Sequence, residues 1–330
     1  MATYPPPKGC QTAARPVEAA VGRGGYARRP MPEPVFPGAV APERSRSFAS
    51  DGVRLRVDEW GDPSAAPVVL LHGAFDHGRG FDLLAPLLAE RFRVVALTSR
   101  GHGDSEWVDS YAWQSDVADA VNLLRSLGRP AHLVGHSRGG GQATDAALWA
   151  PECVHRLVNV DGFGPPPEGF APPGARVDRR PVPVRFRDFL DRRRRAAERA
   201  WRPYPSLEDL VARRREQNPR LSREWLRYFL HHGSREVEGG FVWKTDPEFA
   251  GGFGPWRPEW IGPSWRHLRV PMLAVVGTEP DTWQLPEAVA AERLAFVPEL
   301  ERAAVAGAGH FVHMERPRET ADVLLGFLEP

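Results

Sequence analysis

Gly135-His136-Ser137-Arg138-Gly139 lies between an apolar run at residues 131–134 and a small-residue stretch with helical spacing at 138–150. A serine between a buried strand and a helix can stand on a tight turn with its hydroxyl exposed, as an attacking serine must. Glycine two residues to either side removes the Cβ atoms that would collide in such a turn. The helix that follows aims its free N–H groups and positive dipole end at an oxyanion formed when Ser137 attacks. The segment therefore predicts a strand, a strained turn and a helix, with Ser137 as nucleophile. Gly140 and Gly141 extend the run. Each glycine weakens a helix by about 1 kcal/mol against alanine, which close packing of this helix on its sheet would explain.

Outward from this turn the chain alternates short apolar runs with amphipathic stretches. Residues 45–49 and 54–60 flank Asp51-Gly52 and predict an opening antiparallel hairpin. Residues 67–71 (PVVLL) and 93–97 (RVVAL) read as buried strands, with helical spacing at 81–91 between them. Val117, Ala120, Val121 and Leu124 form one helical stripe within 114–127, stopped by Gly128 and Pro130. A further strand is expected at 157–160. The alternation breaks over 163–265, which is rich in proline, arginine and tryptophan and has two or three helix-like stretches but no convincing buried strand. It resumes with a strand at 271–276 (PMLAVV), a helix near 285–294, a strand near 302–305 and a helix at 319–328.

Such alternation predicts an α/β protein with a doubly wound, mostly parallel sheet covered on both faces and a helical cap inserted after the sixth strand. The expected divisions are a Pro/Gly/Arg-rich disordered tail at 1–44, core at 45–162, a cap or lid at 163–265, and the rest of the core at 266–330. An insertion at that point lies above the carboxyl ends of the strands, where open α/β sheets bind ligands.

His72-Gly73-Ala74-Phe75 directly follows the strand at 67–71, where a backbone N–H can join that of Arg138 in an oxyanion hole. Ala74 is the expected donor, since Gly73 lets the chain turn towards the pocket; an ordinary loop is the alternative. Gly307-Ala308-Gly309-His310 lies between the last strand and the last helix. Small residues there let the loop fold back over the serine, so that His310 takes the Ser137 proton and returns it to the leaving group. Of the eleven histidines, His102, His132, His155 and His267 fall in contexts of loops, caps or surface, and His313 lies nearer the helix start at Pro317. The acid must fall between Ser137 and His310 in the chain. Gly277-Thr278-Glu279-Pro280-Asp281 offers two carboxylates, and Asp161 after the preceding strand is a third. Aspartate's short arm suits a fixed hydrogen bond to imidazole, which favours Asp281, with Asp161 and Glu279 as alternatives.

These residues resemble the α/β-hydrolase superfamily over about 48–328, least so in the insertion. Ser99-Arg100-Gly101-His102-Gly103-Asp104-Ser105 is similar to that family's R-G-H-G-x-S loop, structural there and near the pocket, and 307–317 (GAGHFVHMERP) matches its closing pattern. Asp161-Gly162-Phe163-Gly164-Pro165 and Trp243-Lys244-Thr245-Asp246-Pro247 resemble a lid-bearing branch of serine hydrolases. Two departures stand out. Ser99 occupies a position where the family usually has aspartate, and the loop after PMLAVV is one residue longer than the common G-x-x-D.

The 330 residues carry 42% hydrophobic side chains and a formal charge of +1, so a large core can form and no global field recruits nucleic acid. No apolar run approaches the roughly 18–20 residues of a membrane span, and no secretory signal follows Lys8, so a cytoplasmic location is expected. A transit peptide is the alternative for the tail. Cys10 and Cys153 form no spacing motif, no metal ligands cluster, and no cofactor is expected. Arginines from Arg185 to Arg227 interleave with acidic residues, as on the solvated faces of amphipathic helices; the alternative is a basic rim for an anionic substrate. Trp201, Trp225, Tyr228, Phe229, Trp243, Trp256, Trp260 and Trp265 either pack as core or line an apolar pocket, and Phe75, His136 and Trp243 are the expected pocket residues.

A serine at 137 argues against epoxide and haloalkane hydrolysis, which need a carboxylate at this turn to form an alkyl-enzyme ester. The expected activity is hydrolysis of a small to medium, apolar ester through an acyl-enzyme, with a small-molecule substrate. Alternatives are carbon–carbon or thioester hydrolysis on the same fold, or a silent binding protein.

Overall fold

The computed structural model describes residues 34–108, 111–164, 201–251 and 261–329, together with 183, 184, 187, 188, 190, 191 and 195. Ten strands follow in chain order: β1 (Arg44–Ser50), β2 (Val53–Trp60), β3 (Pro67–Leu71), β4 (Arg93–Thr98), β5 (Ala131–His136), β6 (Val154–Val160), β7 (Ser234–Val237), β8 (Gly240–Trp243), β9 (Met272–Gly277) and β10 (Leu300–Val305). Eight of them form one sheet in the order β1-β2-β4-β3-β5-β6-β9-β10, and β7 with β8 makes a separate hairpin. β2 runs antiparallel to both neighbours, β1 and β4, while every other pair in the eight-stranded sheet is parallel. The opening turn uses Asp51 and Gly52 at φ 46° and 81°, the left-handed pair that a two-residue hairpin loop requires.

Among the described residues, the helices with described bounds are α1 (Ala85–Ala89), α2 (Trp113–Ser126), α3 (Arg138–Trp149), α4 (Leu207–Gln217), α5 (Arg223–Gly233), α6 (Ile261–Trp265), α7 (Glu287–Leu294), α8 (Val312–Glu315) and α9 (Pro317–Leu328). Alternate residues of each strand face opposite ways, so both faces of the sheet must be covered. Val69 and Leu71 of β3 pack with α2 and α3 in one core, whereas Val68 and Leu70 join Leu88, Leu324 and Phe327 in the other. That two-sided burial is why PVVLL reads as a continuous apolar run. The helical spacing at 81–91 yields only a 3-10 turn at Gly78–Phe81 followed by α1, which opens with Pro86 in its first turn.

Between β6 and β9 lies the insertion. Ser206 caps α4 in a reciprocal pair with Asp209, and Ser222 accepts the Trp225 N–H at the start of α5. Leu210, Val211, Trp225, Leu226 and Phe229 bury against one another and against Leu83, Phe311 and Met314 of the core. Trp225, Tyr228 and Phe229 are therefore cap core. The expectation was of no convincing buried strand here; β7 and β8, of four residues each, form a hairpin too short and too exposed to show as an apolar run. Arg213, Arg223 and Arg227 meet Glu216 and Glu208 on the exposed faces of α4 and α5, as solvated helix faces do.

The tail boundary also moves. Residues 34–43 lie on the folded body: Phe36 meets Trp225 edge-on at 5.2 Å, and Trp60 Nε1 donates to the Val40 carbonyl at 2.9 Å. One ring contact and one hydrogen bond hold a segment whose prolines suggest disorder. The expectations for residues 1–33, Arg185, Phe186, Phe189, Arg192, Arg193, Arg194, Arg199, Trp256 and Trp260 lie outside the described residues. Among the described residues, no helix is long and apolar enough to cross a membrane.

Candidate active site

Ser137 stands between β5 and α3 at φ 54° and ψ −118°, outside every ordinary backbone region. The turn is held from below, since Ser137 N–H donates to the Val160 carbonyl at 2.8 Å, while Gly140 N–H donates to the Ser137 carbonyl at 2.9 Å. A Cβ on Gly135 would lie 2.1 Å from the Gly139 carbonyl oxygen, and one on Gly139 would lie 2.2 Å from that of Leu71. Both glycines of the motif are thus demanded by close approach. Gly140 has the same cause: a Cβ there would meet Asn159 Oδ1 at 2.4 Å and Gly162 Cα at 2.9 Å. Among the described residues four non-glycines have left-handed φ, and three cluster here: Phe75 at 60°, Ser137 at 54° and Asp161 at 49°. Such strain persists only where the surroundings over-determine it.

His310 Nδ1 lies 2.6 Å from Asp161 Oδ2, with both side chains buried. A carboxylate can only accept, so the proton sits on Nδ1 and Nε2 is left as the basic nitrogen. Burial pushes the Asp161 carboxyl above its ordinary range, against the His310 hydrogen bond that draws it down. Asp161 is the first residue after β6, and its N–H donates to the Val275 carbonyl at 2.9 Å. Because β6 neighbours β5, this position brings Asp161 beside Ser137.

The favoured sequence candidate, Asp281, is not the partner of His310. Its Oδ1 accepts the Trp283 N–H at 3.0 Å, and its Oδ2 faces Gly309, 2.8 Å from where a Cβ on that residue would stand. Glu279 makes only a 3.4 Å contact with Thr278 Oγ1, while its N–H is tied to the Ala308 carbonyl at 2.8 Å. The loop after β9 is pinned to the histidine loop through its backbone, which carries its carboxylates past the imidazole.

The histidine loop is braced from three sides. Glu315 Oε2 accepts the Gly309 N–H at 3.0 Å and Arg220 Nε at 2.6 Å, and Arg220 Nη2 donates to the Gly307 carbonyl at 2.9 Å. His136 Nε2 donates to the His310 carbonyl at 3.0 Å. Expected to line the pocket, His136 is instead 2% exposed and buttresses His310, and burial holds its pKa well below the ordinary value. Trp243 packs edge-on against Tyr204 in the cap at 6.4 Å. Phe75 is 38% exposed with its ring edge-on to Phe249, so it remains available as a wall.

Ala74 is half-buried in the loop after β3. His72 fixes the base of that loop: Nδ1 donates to the Gly73 carbonyl at 2.7 Å and Nε2 accepts the Ser99 N–H at 2.9 Å. Burial lowers its pKa to about 3, so the ring keeps this neutral tautomer. Ser99, at the position of the family's aspartate, accepts Arg138 Nη1 at 3.3 Å, and Asp116 supplies the carboxylate that pairs with Arg138.

Two supporting residues, Asn159 and Asp76, carried no expectation, and Arg214, expected on a solvated helix face among its neighbouring arginines, is instead 5% exposed and paired with Asp76. Asn159 is fully buried and donates to the carbonyls of Gly140 and Gly162 while accepting the Gly162 N–H. Its signal was a lone polar residue inside the apolar run LVNV. Asp76 and Arg214 pair across the cap boundary, a contact with no local signature. Among the described residues, no group of three or more His, Cys, Asp or Glu could hold a metal ion.

Comparisons with known proteins bear on this geometry. A serine hydrolase-like protein of Danio rerio is 33% identical over 196 residues, which span 58% of this chain and 58% of that protein. An sn-1-specific diacylglycerol lipase of Mus musculus is 28% identical over 281 residues, covering 81% of this chain and 82% of the other. The solved structure of a hypothetical protein of Pseudomonas aeruginosa PAO1 superposes with a TM-score of 0.74 at 26% identity, over 87% of this chain and 99% of that one. The profile of the alpha/beta hydrolase family matches residues 68–323, from the strand before the His72 loop to the last helix. With the sheet order and the serine turn falling inside that match, the chain belongs to the α/β hydrolase family and is a hydrolase.

Proposed function

We propose that the chain hydrolyses a small to medium, apolar carboxylic ester through an acyl-enzyme, with Ser137, His310 and Asp161 as its triad and residues 163–265 as the cap over them. The observation that carries this reading is the 2.6 Å pair between His310 Nδ1 and Asp161 Oδ2, set beside a serine held at φ 54°. With its Nδ1 proton held by Asp161, His310 removes the Ser137 proton through Nε2 as Oγ attacks the ester carbonyl. The tetrahedral oxyanion is met by the N–H groups of Ala74 and Arg138. His310 then returns the proton to the departing alkoxide, and the alcohol leaves. A water, deprotonated by the same nitrogen, attacks the acyl-Ser137 ester; as the acid leaves, His310 returns that proton to Ser137 Oγ and restores the free enzyme. Asp161 stays ionised throughout and stabilises the imidazolium. The likeness to a diacylglycerol lipase supports an ester as substrate.

A fluorophosphonate probe tests the nucleophile. It is expected to label Ser137 in the wild type and to leave Ser137→Ala unlabelled and without turnover; labelling that survives the substitution sinks the reading. Esters, thioesters and β-diketones assayed side by side test the substrate class. Esters are expected to turn over fastest, and faster cleavage of a β-diketone would reassign the reaction to carbon–carbon hydrolysis.

A further inference from the structure

The cap of this molecule is tied to the loop that follows β3. Arg214, near the C-terminal end of α4, is 5% exposed, and Asp76, four residues after His72, is 1% exposed. Arg214 Nη2 donates to Asp76 Oδ1 at 2.6 Å, and Nη1 reaches the Phe75 carbonyl in a longer contact of 3.4 Å. Phe75 carries the left-handed φ of 60°, so the guanidinium grips the strained residue and its neighbour together. The pair joins two anchored bodies. The Phe229 ring lies beneath the guanidinium at 5.5 Å, Trp283 Nε1 donates to the Gln217 carbonyl at 2.9 Å, and Arg220 reaches Glu315 at 2.6 Å. On the other side, His72 holds Gly73.

An ion pair taken out of water is a poor source of stability, because desolvation of both charges offsets their attraction. Its geometric effect is another matter, since the donor–acceptor directions fix where the loop backbone can lie. We infer that Arg214 is a positioning residue for the oxyanion loop: through Asp76 and the Phe75 carbonyl, the cap sets the Ala74 N–H against Ser137. The cap then does more than cover substrate, because it completes the geometry that receives the oxyanion. This inference rests on the reading of Ser137 as the nucleophile.

The test compares wild type, Arg214→Met, Asp76→Leu, the double variant of these two, Arg214→Lys and Ser137→Ala on an activated aryl ester, with melting temperatures measured alongside. A displaced oxyanion donor weakens only the transition state, so kcat is expected to fall about 100-fold in Arg214→Met and in Asp76→Leu while KM stays within about threefold. The double variant carries no unpaired buried charge. It is expected to melt near the wild type and yet be no slower than either single variant, since both act through one pair. Arg214→Lys keeps the charge but not the fork, and is expected to recover part of the loss. If a single variant fails to fold, the double variant decides. A folded double variant with wild-type kcat, a loss confined to KM, or single losses that multiply in the double variant would each overturn the inference. Turnover surviving in Ser137→Ala would instead overturn the nucleophile reading on which it rests.

Discussion

Two neighbouring parallel strands, β6 and β9, run in register from Leu157 beside Met272 to Val160 beside Val275, and each is followed by an aspartate. Only the loop after β6 delivers its carboxylate to His310. There the acid is the first residue past the strand, and Asn159 locks the turn by binding Gly140, Thr144 and Gly162 at 2.8–3.2 Å. The loop after β9 spends its first residues on backbone bonds, Thr278 N–H to Val305 and Glu279 N–H to Ala308. Asp281 Oδ1 then accepts the Trp283 N–H at 3.0 Å rather than a bond from His310. The comparison teaches that an acid's reach depends on where its strand ends and on what holds the loop, not on its spacing along the chain.

The largest break in this comparison is Asp161→Asn. Loss of the carboxylate that fixes the His310 tautomer and stabilises its imidazolium is expected to lower kcat about 10³- to 10⁴-fold with little change in KM. The same variant has an opposite effect on stability. Burial raises the folded-state carboxyl pKa, so between about pH 4 and the raised value the folded chain binds more protons than the unfolded chain. Wild-type stability therefore falls as pH rises through that window, and Asp161→Asn is spared the loss. Its melting temperature at pH 7 is expected to equal or exceed that of the wild type, with the margin shrinking towards pH 4. A variant that melts clearly lower at pH 7 would show the pair to be a net stabiliser.

Asn159→Ala attacks the lock instead of the acid. It strands the buried Gly162 N–H and takes a donor from the Gly162 carbonyl, while the Gly140 carbonyl keeps the Thr144 hydroxyl; a buried group left unpaired costs about 1–3 kcal/mol. A destabilisation of about 2–3 kcal/mol in urea unfolding and a roughly tenfold lower kcat are expected. A stable variant with unaltered kcat would mean that the turn holds without Asn159. The smallest effect belongs to Asp281→Asn. Its half-exposed carboxylate acts on the site only through a screened charge, so kcat and KM should each stay within about threefold. If Asp281→Asn fell as far as Asp161→Asn, the two loops would exchange roles.

Much of this was legible in the residues. The run PVVLL, the stripe of Val117, Ala120, Val121 and Leu124, and the turn Asp51-Gly52 each carry their own periodicity or turn chemistry, and the elements formed where these signals lie. The hairpin of β7 and β8 and the anchored segment 34–43 were not legible, because short half-exposed strands and a lone aromatic anchor leave no pattern.

By itself the sequence determined the strand–helix alternation and the serine turn. Both are local: glycine at 135 and 139 answers to clashes within one turn and the strand beneath it, and periodicity needs only the chain's own neighbours. Tertiary structure decided which aspartate meets His310, that His136 braces the histidine loop, and that Arg214 crosses from the cap to Asp76. These depend on which strands adjoin and how far a side chain reaches across them, and residues such as Asp161 and His310 become neighbours only when the sheet and its loops are in place.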